Sequence, residues 1–130
     1  MINYKKKEQK NSRNSLVFVL GSILWVSIIF LFSSKPNLHS PFSYNADFIL
    51  RKIAHIMEYM ILTGLVWKAL LPRAKSNLLL VVFLLVFSAA VLDECHQLFV
   101  VGREGSLRDV LFDTGGIFLA WYFIGRKTKK

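Results

Sequence analysis

Apolar residues gather into four long stretches separated by short polar segments, at 16–32, 48–71, 77–101 and 107–125. A bilayer core about 30 Å thick takes roughly 20 helical residues to cross, so each stretch is predicted to be a membrane-spanning helix. The third is the clearest. Residues 77–92 contain no charged side chain, and Asp93 and Glu94 follow immediately. The first stretch is also convincing by hydropathy alone, whereas the second and fourth carry internal charge that neighbouring helices must bury. The fold expected is all-α, a polytopic membrane protein built as a four-transmembrane-helix bundle over 16–125, with basic tails at 1–15 and 126–130. Pro72 and Gly102 are expected to end the second and third helices, and Gly125 the fourth. Gly115 and Gly116 suggest close helix packing, and residues 33–47, with Pro36, Pro41, Asn37 and several serines, an irregular loop.

Composition supports lipid surroundings. The 130 residues are 54% hydrophobic, with a mean hydropathy of +0.44, too apolar for an ordinary soluble domain of this size. The single cysteine, Cys95, excludes an internal disulfide and leaves packing as its expected role. A pI near 9.9 suits nucleic acid, but basic residues beside apolar spans have a simpler cause in membrane orientation, and no nucleic-acid partner is expected. Lys5, Lys6, Lys7, Lys10 and Arg13 precede the first span as the start of a signal peptide would. The span is longer than a usual signal core, and residues 33–36 offer no small-residue cleavage site, so an uncleaved anchor is expected.

Charge sets the orientation. If the spans alternate, one side collects 12 of the 17 basic residues with Glu8 alone among the acids, and the positive-inside rule makes it cytosolic, with both termini there. The opposite side holds the other seven acids. Acidic residues contribute little to orientation, so that concentration needs its own explanation.

Helical spacing lines these groups up. Arg51, His55, Glu58 and Tyr59 fall at steps of three and four on the second span; Asp93 and Glu94 lie four and three residues before Gln97; Asp109, Asp113 and Gly116 make a stripe on the fourth. All three stripes occupy the outer ends of their helices. With the third helix entering the core near Leu78, Asp93 lies about 22 Å across, in a shallow, outward-facing position. Arg103 and Arg108, on the next loop, are within reach as counter-charges and suit bidentate carboxylate or phosphate contacts. The structural alternatives are plain. Arg51 and Lys52 also read as lipid-surface anchors, His55 and Glu58 as a pair inside the bundle, and the tryptophans as packing or an interfacial belt.

The residues Arg51-Lys52-x-x-His55-x-x-Glu58-Tyr59, Asp93-Glu94-x-x-Gln97-x-Phe99, Gly102-Arg103, and Asp109-Val110 with Asp113 and Gly116 resemble the VanZ-like family of small bacterial membrane proteins. The resemblance runs from about 51 to 116, half the chain. It implies a multi-pass protein of the bacterial cytoplasmic membrane, linked to the cell envelope and, for some members, to resistance to the glycopeptide antibiotic teicoplanin.

Two functions fit. One is modification of a lipid-linked anionic envelope precursor, with His55, Glu58, Asp93, Glu94, Gln97, Asp109 and Asp113 as the working polar cluster and Arg51, Lys52, Tyr59, Arg103 and Arg108 binding the substrate among membrane lipids. The other is a non-catalytic binder that sequesters or shields an envelope component or antibiotic. A third reading gives a divalent cation to Glu58, Asp93, Glu94 and Asp113, but the sequence alone assigns neither metal nor other cofactor. A proton path across the membrane is disfavoured, because no matching acids lie on the cytosolic side. There is no serine elbow, no His-Glu-x-x-His and no glycine-rich phosphate loop, so the motifs leave the reaction open.

Overall fold

In a computed structural model the described residues are 2–35, 44–73, 76–101, 103 and 105–128, and their regular structure is entirely helical. Four α-helices follow in order: α1 (Ile2–Ser33), α2 (Tyr44–Leu70), α3 (Leu78–Gln97) and α4 (Leu107–Thr128), with one 3-10 turn at Leu71–Arg73 after α2. Three of them are long and apolar enough to cross a membrane, over Asn11–Ser33, Phe48–Leu70 and Leu78–Gln97. α1 runs without a break through the basic N-terminal segment.

Several helix ends differ from expectation. α3 stops at Gln97 rather than reaching 101, and Leu98, Phe99 and Val101 stand exposed in the turns that follow. Hydropathy cannot mark this boundary, because the four residues beyond it, 98–101, are all apolar. α4 continues past Gly125 to Thr128, so that glycine is not a terminus. α2 begins at Tyr44, inside the segment expected to be irregular, while Gly102 and residues 36–43 lie outside the described residues.

The directions of the helices follow from their contacts. Ser15 Oγ donates to the Ala69 carbonyl (2.6 Å) and Trp25 Nε1 to that of Glu58 (3.0 Å), so α1 and α2 are antiparallel. α2 and α4 run parallel, with Lys52 against Asp109, His55 against Asp113, and the Ile56 backbone against Gly116. A Cβ at Gly116 would strike the Ile56 carbonyl, which is why a glycine sits there; Gly115 has open space and no such role. α2 packs on all three other helices. Ile29, Tyr59, Leu62, Val82, Val86, Ala90 and Ile117 form the core.

Polarity is arranged as in a lipid-embedded bundle. Asp93, Glu94, Gln97 and Asp113 are buried, while Leu16, Leu20, Leu24, Leu84 and Leu92 face outwards. In water this would be costly; among lipid tails the exposed leucines cost nothing and the polar groups gain each other.

Candidate functional site

The acids of α3 are held from two sides. Asp93 is fully buried, its Oδ2 accepting from Ser33 Oγ (3.1 Å) at the end of α1 and from Gln97 Nε2 (3.0 Å) one turn on. Glu94 Oε2 accepts the Ser106 backbone N–H (2.9 Å), and Gln97 Nε2 lies 3.5 Å from Oε1. Ser106 is the residue before α4, and its carbonyl accepts the Asp109 and Val110 N–H groups, so Glu94 sits at that helix's positive N-terminal end. Gly105 makes the approach possible, because a Cβ there would meet the Glu94 carbonyl.

The second half of the site joins α2 to α4. His55 Nδ1 lies 3.1 Å from Asp113 Oδ1, so its partner is on another helix rather than Glu58 on its own. Asp113 is fully buried. Glu58 is half-buried, and its carboxylate, like those of Asp93 and Asp113, lies within electrostatic reach of the imidazole. One donor atom from each of His55, Glu94 and Asp113 lies within 4.8 Å of the others. Tyr59, one residue along α2 from Glu58, is completely buried. Among the described residues, Tyr59 Oη, Asp93 Oδ1 and Asp113 Oδ2 are buried with no hydrogen-bond partner.

The basic residues are placed differently from one another. Lys52 pairs with Asp109 and lies over the Phe48 and Phe112 rings, 5.1 and 5.6 Å from their centroids. Arg103 does not bond the acids. Its Nε and Nη2 donate to the carbonyls of Lys35 (3.1 Å) and Phe32 (3.2 Å), closing the end of α1. Burial, and then the Arg51 guanidinium, pull its pKa below the usual arginine value, yet it stays charged at neutral pH. Arg51 is half-buried on α2, and Arg108 is exposed at the start of α4.

All of these groups sit at one end of the bundle, where α1 and α3 finish and α2 and α4 start. The VanZ/LLP1 family profile matches the chain over residues 17–126. The chain belongs to that family. The match extends the resemblance seen at 51–116 to α1 and to the far end of α4, so all four helices are part of the VanZ/LLP1 unit. No curated protein and no solved structure matches the chain.

Two contributors escaped the sequence reading. Ser33 has no signal beyond its place at a helix end. Ser106 does have one: a serine three residues before Asp109 is the pattern of a helix start. Cys95, expected to pack, is exposed on α3. His96 bonds Ser34 (2.8 Å) and lies beside Phe30.

Chemically, the cluster offers an imidazole oriented by a buried carboxylate, with further carboxylates around it and the Arg103 guanidinium in electrostatic reach of them. A histidine so held can accept and return a proton, and the positive charge of Arg51 and Arg103 nearby suits an anionic group.

Proposed function

We propose that this protein crosses the bacterial cytoplasmic membrane four times with both termini in the cytosol, and modifies an anionic, lipid-linked envelope precursor at its outward face. By this route it contributes to glycopeptide resistance of the teicoplanin type. The observation that carries the reading is the convergence of His55, Glu94 and Asp113 within 4.8 Å at one end of the bundle, with Glu94 in electrostatic reach of Arg103. Burying three such groups together in an apolar bundle is costly, and sites that accept that cost are characteristically functional. His55 and the Asp113 that holds it form the centre at which a group of the precursor is activated. Glu58, Asp93 and Glu94 set the field around it, and Arg51 and Arg103 attract the anionic headgroup. The reach of α4, 22 residues or about 33 Å, supports a fourth crossing even though its charges lower its hydropathy.

The test is mass spectrometry of lipid-linked precursors from cells with the wild-type chain, with Glu94→Gln, and with none. Glutamine keeps an acceptor for the Ser106 N–H, so the variant is expected to insert at normal levels, and the mass-shifted precursor seen with wild type should fall at least tenfold. Unchanged precursor masses in all three strains, with protection rising in proportion to protein copies, would establish the binder instead.

A further inference from the structure

We infer that His55, Glu94 and Asp113 form a binding site for a divalent transition cation, with Zn²⁺ the best fit. The inference stands on the geometry of the cluster and not on the precursor proposed above, so metal content and precursor chemistry fail separately.

Distances come first. Zinc ligands of this kind sit about 2.1 Å from the ion, so two of them at a tetrahedral angle are about 3.4 Å apart. The 3.1 Å between His55 Nδ1 and Asp113 Oδ1 is as suitable for a shared ion as for a hydrogen bond. All three donors already lie within 4.8 Å of one another, so closing on an ion takes side-chain adjustment and no movement of helices.

The state of the carboxylates is the second, independent observation. Asp113 is fully buried, yet its Oδ2 has no hydrogen-bond partner, and neither has Asp93 Oδ1. A buried carboxylate oxygen without a partner is expensive, and a bound ion satisfies it. The Lys52 ammonium pairs with Asp109, and Arg103 Nε and Nη2 donate to backbone carbonyls.

Charge and ligand type agree. Two carboxylates with a neutral imidazole carry the charge that a divalent cation balances. One nitrogen and two oxygens suit zinc, and manganese more weakly, better than the all-oxygen shells of calcium or magnesium. Three protein ligands leave a fourth position for water or a substrate oxygen, the arrangement of catalytic rather than structural zinc. The ligands come from α2, α3 and α4, so the ion would also tie these helices together at that end.

The experiment uses the full chain in detergent with a histidine-free tag and Cys95→Ser, which removes the one thiol that would bind metal adventitiously. After dialysis, elemental analysis should find about one zinc per chain. Cobalt added to stripped protein should give a visible absorption band that zinc then abolishes. In Asp113→Asn and His55→Gln, cobalt affinity should fall about 100-fold or more while helicity and elution volume stay unchanged. Less than about a tenth of a zinc per chain together with no cobalt band would overturn the site, whatever the variants do. Undiminished affinity in both folded variants would overturn it equally.

Discussion

Tyr59 is the residue whose burial most needs an explanation, since its side chain is wholly enclosed and its hydroxyl has no hydrogen-bond partner. An unsatisfied buried hydroxyl costs about 1–3 kcal/mol, so it contributes nothing to the stability of the fold. Tyr59→Phe is therefore expected to hold or raise the thermal midpoint in detergent. If the hydroxyl meets a ligand at work, protection of cells falls in the same variant. A drop in stability of more than about 1 kcal/mol would mean that the hydroxyl has a structural partner after all. Single residues of this kind were unevenly legible. Asp93 and Glu94 stand out because they end a stretch with no charge, and His55 because it shares a helical stripe with Glu58. The partners are another matter: that His55 meets Asp113, and Asp93 meets Ser33, depends on how three helices are set against each other, which residue spacing along one helix does not encode.

Between helices, the closest contact is the one Gly116 allows, where α4 lies directly on the backbone of α2 at Ile56. His55 and Asp113 are each one turn or less from that point, so the contact sets the separation across which they pair. Gly116→Ala should push the helices apart at a cost of about 1–3 kcal/mol, read as loss of folded protein in a mixed-micelle unfolding titration. Gly115→Ala, with open space around it, should change stability by no more than about 0.5 kcal/mol. Equal effects from the two would remove the close approach as the reason for glycine at 116. The helices themselves were readable from apolar length, and their ends were not. Gln97 ends α3 although the next four residues are apolar, and α4 runs through Gly125 because nothing there requires a left-handed turn. Composition marks where a chain wants lipid; it says little about where a helix stops within that stretch.

At the scale of the molecule, α1, α2 and α3 are long and apolar enough to cross a membrane, and α4 is the helix on which a fourth crossing rests. Hydropathy undercounts it, because Asp109 and Asp113 lie in its first two turns and Arg126 and Lys127 near its end. Two of those charges are not presented to lipid: Asp113 is fully enclosed by the bundle and Asp109 is paired with Lys52. Because α4 runs parallel to α2, a crossing by α2 carries α4 across in the same sense, with its basic end on the side of the N-terminus. In a Cys95→Ser background, a cysteine at Ser12 or at Thr128 should react with a membrane-impermeant maleimide only after cells are opened, whereas one at Ser40 should react in intact cells. Labelling at Thr128 without lysis, with Ser12 still protected, would leave only three crossings. The consequence would reach the site itself: Asp109 and Asp113 would then enter the cluster from a helix lying along the outer surface, and the parallel packing of α4 on α2 could not hold.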